Sequence, residues 1–320
     1  MMDGTCGGPR WARAPGPLSF LSLDNLPGNG ELLRSLVLQF ARRFDAPLCD
    51  WISAHCTFPG SMVDRIVPRT TQADRERIEA ALGVHDAWPV VGEPFFDWAV
   101  EDRFAAGRPA WDLGGARFVE SAAPYERLKL RMVNASHSAL AYLGLLAGFG
   151  TVDEAVGDAR LRGFVEALLA DEVAPTLQGV PPLELDAMRE RLMRRFANPA
   201  LQHRLRQIAM DGSQKLPQRW LGTVRDRLRA GEGIERLALG VAAWIAYLRG
   251  QNEAGEPHEI DDPLAAPRAT LGAGVDAVCG FEPVCGDLGR EARFVEAVRH
   301  ADAELTRLGA LGAAAALAQA

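Results

Sequence analysis

Apolar residues recur at Leu32, Leu33, Leu36, Val37, Phe40 and Ala41 within ELLRSLVLQFARRF, the spacing of a helix with one buried face. Just before it, LSFLSL predicts a buried strand, and DWISAHCTF a second strand ahead of PGSMVDRIVP. TTQADRERIEAALGV reads as a short helix with Thr71 as N-cap. Strand-like pieces return at WPVVGE and GARFVE. Up to about residue 120, strands and helices thus alternate as in an α/β unit. From PYERLKLRMVNASHSALAYLGLLAGFG onward the period becomes helical and strand signals nearly vanish. Asn198-Pro199 marks another helix start, with Asn as cap and Pro in the first turn. PALQHRLRQIAMDG, PQRWLGTVRDRLRAG and GIERLALGVAAWIAYLRG continue the helical series. The pattern predicts a loose Gly/Pro/Arg-rich stretch over 1–17, an α/β domain over 18–120 and a mainly α-helical C-terminal domain over 121–320. The Ala-rich end reads as a final helix that frays.

Composition narrows the partners. The chain has 320 residues, 48% hydrophobic and 24% charged, as ordinary globular proteins do. A net charge of −7 leaves no basic surplus to displace phosphate counterions, so no nucleic-acid partner is expected. The arginines at 189, 191, 194 and 195 are interleaved with Glu184, Asp186 and Glu190 and read as a solvated helix face. Cys6, Cys49, Cys56, Cys279 and Cys285 form an odd set without CxxC spacing, which suits a reducing cytosol and a cytoplasmic location. Neither His55-Cys56 nor the other histidines match zinc spacing, so no metal is expected. The N-terminus lacks the apolar core of a signal peptide, and the apolar windows near 138–150 and 308–320 are too short to span a bilayer, so no membrane role follows.

Two stretches carry candidate chemistry. In LSLDNLPGNGELL, Gly28-Asn29-Gly30 is followed by Glu31, Leu32 and Leu33, so the third glycine of a dinucleotide fingerprint is absent and a tight turn explains the pair as well. Asn25 is the better candidate, because it lies just past a strand end, where open α/β sheets place ligand groups. KLRMVNASH holds Lys129, Asn134 and His137; on a regular helix they share an arc of roughly 140° over about 12 Å. Leu128, Leu130, Met132, Val133, Leu140 and Leu143 surround them, so the helix should be buried and its polar groups satisfied by protein or ligand. On spacing alone, a snorkelling lysine and two capping side chains are the favoured account of the pattern.

DNLPGNG, FPGSMVDRIVP, EPFFDW, KLRMVNASH and RFANPALQHRLRQIAMDGSQKLPQR resemble, in order and spacing, the long-chain polyol dehydrogenases, which include mannitol dehydrogenase and the hexuronate reductases. The likeness covers about residues 17–310, and IAMDGSQKLPQR looks most like the mannonate/fructuronate branch. The resemblance implies a partial Rossmann-type N-terminal part and a helical catalytic domain. It implies metal-free hydride transfer between a secondary alcohol of a sugar acid or polyol and NAD or NADP, with D-mannonate/D-fructuronate favoured over mannitol/fructose. By motif, Lys129 would be the general base, Asn134 and Asn25 the oxyanion site, His137 a hydroxyl-binding group, and Asp64 a further contact to substrate hydroxyls. Free lysine titrates near 10.4, about three units too high for a base at pH 7, and burial would lower it. An amide pair stabilises an oxyanion without zinc.

A sugar acid also needs cationic partners for its carboxylate. Pro217 looks like the first turn of a helix flanked by Lys215 and Arg219, which would serve there; both facing solvent is the alternative. The family's Gly-rich nucleotide-binding half has no counterpart before residue 18. The chain is accordingly expected to bind NAD weakly or not at all, with an unpaired sheet edge. The alternative function is a non-catalytic remnant, a helical binding or interaction module.

Overall fold

The computed structural model describes residues 16–179, 182–263 and 274–319. Residues 1–15 of the expected loose N-terminus, Cys6 among them, lie outside the described residues. The chain divides into two compact units, one of residues 1–66 with 93–126, the other of 67–92 with 127–320.

In the first unit, helices α1 (Asn29–Phe44) and α2 (Ala46–His55) accompany strands β1 (Ser61–Asp64), β2 (Asp97–Glu101) and β3 (Ala116–Val119). β1 runs antiparallel to β2, Ser61 opposite Val100, and β2 parallel to β3, Trp98 opposite Ala116. GARFVE contains a strand as expected, PGSMVDRIVP holds β1, which the pattern did not single out, and three other segments differ from expectation. LSFLSL makes only a one-residue parallel bridge, Ser19 to Thr57, and leaves Leu18 and Leu23 exposed. DWISAHCTF is largely helix α2, because the Asp45 side chain caps Leu48 N–H at 3.0 Å and Pro47 fits the first turn. Helical spacing then buries Cys49 and Ile52 together and stacks Trp51 on His55. WPVVGE is loop: Trp88 is 81% and Val90 71% exposed, and the strand forms later, at Asp97–Glu101, beyond Pro89 and Pro94, which lack the N–H a ladder needs.

Helix α1 forms where its periodicity places it, yet only part of its apolar surface is covered. Ala41 is buried and Leu33 and Val37 pack beside Phe20 and Phe58, whereas Phe40 and Phe44 are 69% and 71% exposed. Its entry is a turn with Gly28 left-handed at φ 60. Gly30 passes so close to the next segment that a Cβ there would lie 2.6 Å from the Phe58 carbonyl. Between them Asn29 donates to the Ser61 carbonyl at 2.9 Å and accepts from its N–H at 3.0 Å. The glycine pair therefore clasps two chain segments together.

The second unit is helical. It contains α3 (Gln72–Leu82), which Thr71 caps as expected through a reciprocal pair with Asp74. α4 (Ala123–Leu128), at whose end the unit resumes, runs into a π-helical turn at Lys129–Asn134 and then α5 (Ala135–Leu146), buried at every position. After α6 (Val152–Gly157) and α7 (Ala159–Ala167) comes a second π segment, Leu168–Val173. α8 (Pro182–Phe196), α9 (Leu205–Ala209) and α10 (Gly212–Leu216) follow, then a third π segment, Pro217–Leu221, α11 (Gly222–Arg229) and α12 (Glu235–Tyr247). The C-terminal helix Ala292–Ala318 packs on α12, which also packs on α5. Three expectations are corrected here. Asn198-Pro199 opens a turn, with the Asn198 side chain accepting from Ala200 N–H at 3.1 Å; left-handed Gln202, φ 43, delays helix formation to Leu205. Pro217 continues a helix that began at Gly212. Arg195, read as part of a solvated face, is buried. Among the described residues no helix is long and apolar enough to cross a membrane.

Candidate active site

Lys129 and Asn134 are five residues apart, which on a regular α-helix would turn them far from one another. The segment between them is instead π-helical, with Ala135 N–H reaching back five residues to the Leu130 carbonyl. The wider π turn brings positions five apart closer to one side than a regular helix does, which draws Lys129 towards Asn134. Met132, Val133 and Asn134 are buried within this turn and Lys129 is half-buried. His137 follows on the first turn of α5, itself buried.

Two side-chain atoms here lack what burial demands. Asn134 Nδ2 and His137 Nε2 are enclosed yet have no hydrogen-bond partner among the described residues. An unpaired buried polar atom costs about 1–3 kcal/mol, so these atoms mark where a ligand's oxygens would sit. The His137 ring lies 4.3 Å from the Phe196 ring and 5.5 Å from that of His203, edge to face. Arg219, on the third π segment, donates through Nη1 to the Ser138 hydroxyl at 2.8 Å and the Asn134 carbonyl at 3.3 Å. Its remaining N–H groups have no partner among the described residues. Burial brings its pKa down to about 10, still charged at neutral pH. Trp220, fully buried next to it, ties the same backbone through Nε1 to the Ala135 carbonyl at 3.2 Å.

Lys215 is engaged differently. Its ammonium donates to the carbonyls of Met210 at 2.5 Å and Ile208 at 3.3 Å, with Asp211 at 3.9 Å. Both Lys215 and Arg219 are drawn into the protein instead of facing open solvent, and burial lowers the Lys215 pKa. Because the helix starts at Gly212, the two cations do not flank a helix N-terminus at Pro217.

His137 and His203 are held neutral. Burial, followed by the charges of His203, Arg219, Arg195 and Lys129, puts His137 well below the usual histidine value. Burial and Lys215 push His203 down to about 4. In an unfolded chain both would titrate near 6.5. The unfolded state therefore takes up protons first as pH falls, and stability present above pH 6.5 is lost towards pH 4. His203 alone should account for roughly 3 kcal/mol of that loss. Urea midpoints across this range should fall steeply for the native chain and less for His203→Gln.

In the first unit Asp64, the last residue of β1, is buried and stands opposite Asp97. It is no surface partner for Arg65, whose Nε donates to the Glu93 carbonyl at 2.8 Å. Asn25 lies exposed on the turn leading into α1. That turn does not fit the pyrophosphate of a dinucleotide: the Glu126 carboxylate accepts from Gly28 N–H at 3.1 Å, and Asn29 is committed to Ser61. Among the described residues no group of three His, Cys, Asp or Glu side chains could hold a metal ion. Cys49, Cys56, Cys279 and Cys285 are free thiols, and burial pushes Cys279 up to about 12 and Cys285 up to about 11, so neither is a ready nucleophile. Sequence reasoning passed over Ser138, Phe196 and His203, although His203 falls inside the RFANPALQHRLRQIAMDGSQKLPQR run.

The mannitol dehydrogenase C-terminal domain matches residues 121–306 and the mannitol dehydrogenase Rossmann domain residues 9–113. The uncharacterized oxidoreductase YeiQ of Escherichia coli (strain K12) is 43% identical over 301 residues, covering 92% of this chain and 62% of its own length. The D-mannonate oxidoreductase of the same organism is 43% identical over 304 residues, 93% of this chain and 63% of that protein. The structure of Pseudomonas fluorescens mannitol 2-dehydrogenase, a ternary complex with NAD and D-mannitol, superposes with a TM-score of 0.85 at 37% identity, over 94% of this chain and 62% of that one. The chain thus spans under two thirds of the length of these proteins.

Proposed function

The chain belongs to the mannitol dehydrogenase family, and from that premise we propose that it interconverts a linear sugar acid or polyol and its keto form, with D-mannonate/D-fructuronate preferred. The observation that supports this most is the pair of orphaned buried atoms, Asn134 Nδ2 and His137 Nε2, on the helix that starts with Lys129. A secondary alcohol brings what these groups need: a hydroxyl proton to give up, an oxygen to be held, and neighbouring hydroxyls to bind.

In this reading Lys129, once its ammonium has given up a proton, takes the hydroxyl proton of the reacting carbon. Asn134 donates its amide N–H to the same oxygen, favouring the developing alkoxide and carbonyl. His137, neutral and buried, binds an adjacent hydroxyl. The half-free guanidinium of Arg219 is the stronger candidate for the carboxylate, since Lys215 already donates to two carbonyls. Asn25 is assigned a second hydrogen bond to substrate oxygen and Asp64 a contact to substrate hydroxyls, each from its motif. NAD or NADP, the cofactor the family reading implies, would accept the hydride, and no metal takes part.

The test is a panel of hexonates and hexitols offered to the chain with NAD and with NADP, alongside calorimetric binding without cofactor. D-mannonate should bind more tightly than D-mannitol, and any turnover should survive EDTA. Inhibition by EDTA overturns the metal-free reading. Binding without turnover points to a helical binding module, and absence of both binding and turnover defeats the proposal.

A further inference from the structure

His203 sits on the non-helical stretch between α8 and α9, yet its backbone is fixed on every side. Val152 N–H donates to its carbonyl at 3.0 Å, Leu205 N–H to the Gly150 carbonyl at 3.0 Å, and Thr151 bridges to Arg204. Gln202 before it is left-handed at φ 43, a conformation a non-glycine residue holds only where its surroundings impose it. What this arrangement presents is an imidazole set edge to face against His137, ring centroids 5.5 Å apart and planes at 81°. Its Nδ1 is buried and, like His137 Nε2, has no hydrogen-bond partner among the described residues.

A structural histidine is normally anchored by its own hydrogen bond, as His258 is through Nε2 to the Tyr247 carbonyl at 2.8 Å. His203 has no such anchor at Nδ1. Phe196 packs on His137 at 4.3 Å between ring centroids, so the two rings that carry the open nitrogens stand side by side with an aromatic ring against them. The charges that bear most on the pair are positive: Arg219, Arg195 and Lys129 on His137, and Lys215 on His203. A hydroxyl would satisfy a nitrogen but leave that field unanswered, whereas a carboxylate answers both.

We infer that His203 is a substrate-binding residue which shares with Arg219 the carboxylate of a linear sugar acid, while His137 beside it binds a hydroxyl, and so selects acids over hexitols. This rests on the reading of the site given above. The determinant lies on a turn outside the K-x-x-x-x-N-x-x-H helix, so the same helix chemistry could serve acids or hexitols according to that turn.

The experiment follows the histidine ring nitrogens of the 320-residue chain by 1H–15N NMR during titration with D-mannonate and, separately, D-mannitol. Both ligands should move His137 signals, and only D-mannonate should move those of His203. His203→Gln should weaken D-mannonate binding about tenfold or more, the effect of one lost hydrogen bond to a charged group, and leave D-mannitol binding unchanged. His203→Asn, whose amide nitrogen lies near the place of Nδ1, should restore most of the affinity. If D-mannonate moves His137 but not His203, or if His203→Gln weakens both ligands alike, the inference is wrong while the proposed function stands. If neither ligand moves His137, the proposed function fails and the inference with it.

Discussion

Replacing Lys129 by alanine is expected to lower turnover by about 10²–10⁴-fold, the usual contribution of a positioned general base, with little change in hexonate affinity. The lysine is half-buried at the head of the π turn, which ends in an amide with an open donor. Its proposed task is confined to the proton of the reacting hydroxyl, so binding contacts made by Arg219 and His137 survive its loss. Small primary amines added to Lys129→Ala should restore part of the rate, in proportion to their basicity. A variant that loses affinity as steeply as rate, or that no amine rescues, would show the side chain to be a binding group. The measurement is steady-state kcat and KM for hexonate oxidation, wild type against variant.

The second large effect is on stability. Glu172, in the π segment after α7, is almost wholly enclosed. Its carboxylate accepts from the N–H groups of Arg236 at 2.7 Å and Leu237 at 2.9 Å, the first turn of α12, whose own N-cap residue Ile234 offers no side-chain acceptor. Arg236 approaches the carboxylate at 3.9 Å, and Arg227 donates to the neighbouring Asp171 carbonyl at 2.7 Å. Burial still raises the carboxyl pKa, so the two N–H groups and the arginines only partly offset desolvation. Glu172→Ala leaves two buried donors unmatched and removes one of the two carboxylates facing Arg236, whose pair with Asp171 at 3.1 Å remains, at about 3–5 kcal/mol. Glu172→Gln, which keeps one acceptor, should lose about half as much. Urea unfolding midpoints decide it, and an alanine variant within 1 kcal/mol of wild type, well below the usual cost of breaking a buried pair, would refute the capping role.

Periodicity found the helices whose apolar faces are continuous. α1, α3, α5 and α12 lie where it put them, and the change from alternating to helical character near residue 120 matches a mixed sheet followed by helices. It failed where a local polar choice outweighs apolar content. Asp45 with Pro47 turns DWISAHCTF into a helix, and prolines keep WPVVGE out of the sheet. It also failed where one backbone residue decides, as left-handed Gln202 does for the stretch after Asn198. The candidate site was legible as a motif but not as a geometry. A regular helix leaves Lys129 and Asn134 at the two ends of an arc of roughly 140°, and no hydropathy pattern announces the π turn that narrows it. His203 was hidden for a related reason: its significance lies in a neighbour 66 positions away, and sequence spacing carries no trace of that.

The wide turn at Lys129–Asn134 amounts to one residue more than a regular helix would use. Everything beyond it is locked, because each side chain of α5 is enclosed, while α4 upstream has no buried side chain. Deleting a single residue inside the turn would therefore be absorbed upstream, swinging the amine away and leaving the scaffold standing. Shape and reactivity are separable here by one amino acid, so such a deletion would yield a folded, inert twin for control experiments.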